Sequence, residues 1–249
     1  MKRIPLFVLF LVFGLVCHAT TIEEVVEVCA VCGQMSTQTV VRSTNQMGSP
    51  DLDLRPPEMA RSTIRYWVQK CPHCGYCHSD ISELAKNAKE TIADPAYKKI
   101  PEQKQMPELA VRFLCMAMVH EKAGNMQGTI SATIFAAWAC DDEAAEESAN
   151  KAAMFCREMA ALRISEYKKS GESYMADPGG DEILLSDLYR RCLRFDLAIE
   201  AAKAGLESKP EELIKNILLF EKALAEKKDS SVYTVAQVPG AQDQTPVNP

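Results

Sequence analysis

Two short cysteine repeats constrain this chain more than any other feature. Cys29-Ala-Val-Cys32-Gly33 and Cys71-Pro-His-Cys74-Gly75 have the same form, and residues 33–70 separate the inner cysteines. Two residues between cysteines let both thiolates reach one tetrahedral ion. The glycine after each pair permits the tight turn that aims backbone N–H groups at sulfur. One such pair is weak. Two pairs joined by a strand-like segment predict a zinc ribbon whose ligands are Cys29, Cys32, Cys71 and Cys74. The Zn2+ would be structural, because a ribbon of about 55 residues buries too little surface to fold alone. Two local disulfides or free thiols are the other readings of the same residues.

A second motif overlaps the first. Cys74-Gly-Tyr-Cys77-His78 reads C-x-x-C-H, the attachment pattern of haem c. Cys74 cannot serve both a thioether and a zinc knuckle. The haem reading leaves Cys71 and the first knuckle unexplained, whereas the zinc reading leaves only Cys77 and His78 spare. Thiol–disulfide chemistry at Cys74 and Cys77 is a further alternative, though a thioredoxin-like βαβ context is absent. His73 is expected to face solvent.

The first nineteen residues read as an address. Lys2 and Arg3 precede an apolar run from Ile4 to Val16, too short for the roughly 20 residues that span a bilayer. Cys17 and Ala19 place small residues before a cut after Ala19. A secretory signal peptide over 1–19 follows, with export to the periplasm or cell envelope. An uncleaved anchor is the alternative, and the protein is cytoplasmic if the segment is not a functional signal. Membrane contact is expected only through this segment. Cleavage leaves 26 basic against 34 acidic residues, a net charge of −8 where the full chain carries −6. That balance excludes the basic footprint of a nucleic-acid binder. Nine of the ten cysteines remain, so internal disulfides cannot use them all.

The organisation after the signal falls into three parts: a ribbon over 22–78, helices over 79–228 and a disordered tail over 229–249. Gln38–Thr44 is β-rich. Ile64, Tyr66 and Val68 alternate with polar or aromatic neighbours, which predicts a half-buried strand. Asp80 with Glu83 resembles a capping box, predicting a helix to about Ala93. Pro107 opens the next helix and Ala123-Gly124-Asn125 closes it. Later helices are expected near 128–140, 143–169, 181–192, 195–208 and 211–227. Hence the fold class is α+β, mainly α, with a small N-terminal β zinc ribbon and an antiparallel helical array. The tail is rich in Ser, Gln, Pro and Gly.

Leu185, Ser186, Tyr189, Ala198, Ala202, Gly205 and Pro210 follow the spacing of one tetratricopeptide unit. Gly128, Ala132 and Ala136 form a second small-residue stripe. An ordinary helical bundle fits the same residues. Cys115, Cys140, Cys156 and Cys192 read as small buried hydrophobes. Asp177, Asp181 and Glu182 read as an acidic linker rather than a calcium site. Asp141, Asp142, Glu143, Glu146 and Glu147 read as a solvated face. His120-Glu121 lacks the second histidine of a zincin motif, and no phosphate loop or nucleophile elbow is present.

Several segments together resemble an uncharacterised bacterial family that joins a zinc ribbon to tetratricopeptide-like helices. They are the two knuckles, Gly48-Ser-Pro-Asp-Leu-Asp-Leu-Arg-Pro-Pro57, Trp67 to Tyr76, Phe135-Ala-Ala-Trp138, and Leu188 to Ala198. The similarity covers most of residues 25–225. It implies metal at the four knuckle cysteines and no known reaction. The expected function is an exported scaffold or interaction module, with a protein or peptide partner in the helical groove. An envelope redox protein using Cys74, Cys77 and His78 is the alternative.

Overall fold

The computed structural model describes residues 20–143 and 147–241. The expected signal peptide lies outside them. The fold is α+β and mainly α, with 54% of the chain helical. Strands β1 (Thr20–Val28) and β2 (Met35–Thr44) pair antiparallel as a hairpin, with an irregularity between Thr21 and Ile22. The β-rich stretch at 38–44 lies within β2. Two short strands, β3 (Gln69–Lys70) and β4 (Cys77–His78), form a second pair around the second knuckle.

Two expected elements are replaced. The strand predicted over Ile64–Val68 is a 3-10 turn over Ile64–Tyr66. Ile64 and Val68 are both buried, and their spacing of four satisfies a helical turn as well as a strand. Tertiary packing chose the turn, because Trp67 then stacks edge-on against Phe135 at 5.1 Å. The helix predicted from Asp80 starts only at Ala88. Tyr76 explains why. Its buried hydroxyl donates to the Glu83 carbonyl and accepts from the Ala85 amide. The 80–87 segment thus wraps one tyrosine instead of bonding along a helix. Asn87 at φ 60° then sets the entry to the helix.

The remaining helices form an array. After the short helices α1 (Glu58–Arg61), α2 (Ala88–Ala93) and α3 (Pro95–Lys99) come α4 (Glu108–Ala123), α5 (Met126–Asp142), α6 (Glu147–Lys169), α7 (Gly180–Arg191), α8 (Phe195–Glu207) and α9 (Glu212–Glu226). From α4 onward each packs on its sequence neighbour, and α7 also meets α9. The turns are short for a local reason. Gly124 is left-handed; its amide bonds the Glu121 carbonyl while the Asn125 amide bonds that of His120. This pattern closes α4. The Asn125 side chain then accepts from the Gly128 amide and opens α5. Leu193 and Lys228 end α7 and α9 with the same bond pattern. Gly205 allows α8 to lie between α7 and α9. A Cβ there would stand 2.7 Å from Glu182 Cβ and 2.8 Å from Leu218.

One apolar core runs from Cys29 and Cys71 through Phe113, Ile130 and Ala153 to Leu188. Within it β4 packs on α4, and the Ile64–Tyr66 turn packs on α5. Residues 229–241 correct part of the expected disordered tail. Thr234 bridges Asp51, the Leu52 amide bonds the Tyr233 carbonyl, and Val238 is buried with Leu52, Ile217 and Leu218. Tyr233, Val235 and Val238 supply apolar area that the polar average composition conceals. Residues 242–249 lie outside the described residues.

Candidate metal centre

The two knuckles fold alike. The Gly33 amide donates to the Cys29 carbonyl at 2.8 Å, and the Gly75 amide to the Cys71 carbonyl at 3.0 Å. The Cys29 amide donates to Gln34, and the Cys71 amide to Tyr76. Gly33 and Gly75 have φ of 73° and 78°, left-handed values that glycine adopts without steric cost. Each turn lifts its two thiols to one side. Ala30 N–H donates to the Ile81 carbonyl, and Ile81 N–H to Gln69 Oε1. These bonds tie the first knuckle to the second.

The result is a four-sulfur cluster. Sγ atoms of Cys29, Cys32, Cys71 and Cys74 all lie within 4.8 Å of one another, a set able to hold a metal ion. Cys29 and Cys74 are 3.7 Å apart, and Cys32 and Cys71 are 3.6 Å apart. These contacts pair each thiol with one from the opposite knuckle. All four are free thiols. Cys29 and Cys71 are buried, Cys74 is half-buried and Cys32 is exposed.

The clustered thiols bias one another's titration in opposite directions. Burial works to raise the Cys71 pKa, but the Cys74 and His73 amides and the Cys32 thiol bring it below its usual value. Burial raises Cys29 and Cys74, against the pull of nearby amides. Four thiolates this close repel one another, so full deprotonation requires a positive ion among them. His73 is exposed, as expected.

The structure separates Cys77 from Cys74. Cys74 faces the cluster, whereas Cys77 is buried in the helical core beside Cys115 and Tyr97. His78 stacks on Tyr76, and its Nδ1 lies 2.8 Å from the Asp80 carbonyl. Cys115, Cys140, Cys156 and Cys192 are all buried on helices.

No protein-family model, curated protein or solved structure matches this chain.

The structure also holds a buried charged network of which periodicity gave no hint. Asp53 accepts from Trp138 Nε1 at 2.9 Å and from Arg191 Nη1 at 2.6 Å. Asp141, expected on a solvated face, instead joins Arg157 and Arg191. Asp142 pairs with Arg55. Asp181 is not a linker residue: buried at the start of α7, it accepts from Ser173 and the Met175 amide. The sequence signal was the alternation Asp51-Leu-Asp53-Leu-Arg55, which reads as a polar loop until helices close over it.

Among the described residues no helix is long and apolar enough to cross a membrane.

Proposed function

We propose that the four cysteines hold one zinc ion and that the ion is structural. The observation carrying this reading is the pairing of sulfurs across the two knuckles. Zinc–thiolate bonds of about 2.3 Å in a tetrahedron give sulfur–sulfur edges of about 3.8 Å. The two cross-knuckle pairs, at 3.6 and 3.7 Å, are near that edge. Four protein thiolates complete the tetrahedron and leave no position for substrate, which favours a structural role over a catalytic one. The ion pins a ribbon whose own core is small onto α4 and α5.

The wider reading is an exported scaffold built from this ribbon and tetratricopeptide-like helices, in the manner of the family it resembles. Its partner is a protein or peptide. A groove of about 1160 Å³ between β2 and the α4–α5 pair, lined in part by Gln38, Arg65, Tyr66, Lys70 and Arg112, gives it a docking surface.

Metal analysis with an optical spectrum tests the centre. One zinc per chain and no Soret band is the expected result. Cys71→Ser should lose the metal and lower the unfolding temperature, while Cys77→Ser should keep one zinc per chain. A covalent haem band, or metal lost from Cys77→Ser alone, overturns the assignment.

A further inference from the structure

Cys77 is left over from the metal centre, and α4 supplies its partner. Its thiol, 1% exposed, donates to the Gly75 carbonyl at 3.5 Å and lies beside the thiol of Cys115, which is 2% exposed. Tyr97 stands beside both, and its hydroxyl donates to the Gly75 carbonyl at 2.8 Å. Buried thiols of this kind are ordinarily inert for want of access. Here they line one cavity of about 190 Å³. The same wall carries Lys70, Lys98 and Arg112, and no carboxylate lines it. Arg112 is shared with Glu108 one turn away, outside the cavity lining. A positively charged cavity that ends on two adjacent thiols selects a small anionic reagent that reacts with sulfur.

We infer that Cys77 and Cys115 are a dithiol pair that closes to a disulfide by exchange with a small anionic disulfide admitted through this cavity. The first thiol, as its thiolate, attacks one sulfur of the reagent; the reagent's S–S bond breaks and one thiolate leaves, taking up the proton. The second protein thiol then attacks the mixed disulfide and expels the other half as a thiol. Two protein thiols are oxidised to one disulfide, and the reagent disulfide is reduced to two thiols. The new bond links β4 to α4 and so fastens the second knuckle to the helical array covalently. Cys74 also lines this cavity, but its sulfur lies 3.7 Å from that of Cys29, and on the proposed reading the bound metal holds its thiolate out of the exchange.

The test uses the full chain loaded with zinc. It is incubated with the small dianionic disulfide 3,3′-dithiodipropionate; metal content is read on one portion, and a second is unfolded in N-ethylmaleimide and examined by intact mass and non-reducing peptide mapping. The expected product retains its zinc, carries a Cys77–Cys115 cross-link and bears two fewer N-ethylmaleimide adducts than the untreated chain. Exchange should run several-fold faster with this dianion than with cystamine, a cationic disulfide of similar size. Cys115→Ser should trap a thiopropionate adduct on Cys77. Full alkylation of both Cys77 and Cys115 overturns the inference, as does a cross-link within the four-cysteine cluster with loss of metal. Faster reaction with cystamine, or an unmodified Cys77 in Cys115→Ser, overturns entry through the charged cavity. The wild-type map stands whether or not the variant folds.

Discussion

At the scale of single residues, the two knuckle glycines shape the four-cysteine cluster without supplying a ligand atom. Gly33 has open space where a Cβ would go. Substitution there tests backbone conformation alone. Gly33→Ala keeps every ligand and forces an L-residue into a left-handed turn, at about 1–2 kcal/mol. On the proposed reading the bound metal holds this turn, so the strain acts against metal binding. Zinc affinity should therefore fall by roughly tenfold, since about 1.4 kcal/mol is a factor of ten. Competition against a chromophoric chelator measures this, and an unchanged affinity would show that the turn is not set by Gly33. Tyr76 is the contrasting case. Its hydroxyl, not a capping box, decides where the 80s backbone goes.

Between elements, α7 and α9 are joined by charges that are removed from water. Arg190, wholly buried, donates to Glu221 at 2.7 Å and Asp187 at 2.6 Å, and its remaining N–H groups reach the Asp229 and Ser231 carbonyls. Burial, reinforced by the nearby Asp187 carboxylate, pushes the Glu221 pKa up to about 8 from 4.5, against the pull of Arg190. The sign follows directly. Between these two values the folded chain holds a proton that the unfolded chain has lost. Stability from Glu221 is therefore complete below about pH 4.5 and declines as pH rises towards 8. Glu221→Gln removes this dependence. Its stability relative to wild type should improve steadily from pH 5 to pH 8 in urea titrations. A difference that does not change with pH would refute the account.

For the whole molecule, the Asp53 carboxylate is the meeting point of the loop before the ribbon's second half, α5 and α7. It satisfies Trp138 and Arg191 at once. Asp53→Ala strands a buried indole N–H and weakens the pairing of a buried guanidinium, so the expected loss is about 3–5 kcal/mol. Asp53→Asn, which keeps an acceptor for Trp138, should cost less. Denaturant unfolding measures both, and equal, small losses would mean that the network relaxes around the gap. The same region holds Leu52, on which residues 233–241 are laid. Removing the loop's anchor should thus also loosen the end of the chain.

The four-cysteine cluster and most of the later helices were legible in the sequence because both are local codes. A C-x-x-C-G knuckle needs only five consecutive residues, and Gly124 with Asn125 ends one helix and begins the next within two. The tight approach of α8 was legible too, in Ala198, Ala202 and Gly205. What the sequence could not specify was partnership across distance. The spacing of Ile64 and Val68 fits two periods, and only the aromatic surface of Phe135 and Trp138 selected the turn. Asp141 reads as a surface acid until Arg157 and Arg191 arrive from two other helices. Cys77 reads as half of a motif with Cys74 until the fold turns it towards Cys115. By itself, then, the sequence determined which residues turn, cap and offer sulfur. Tertiary structure decided which buried charges and thiols meet, because burial removes the competing water and leaves each polar group dependent on the partner the fold brings to it.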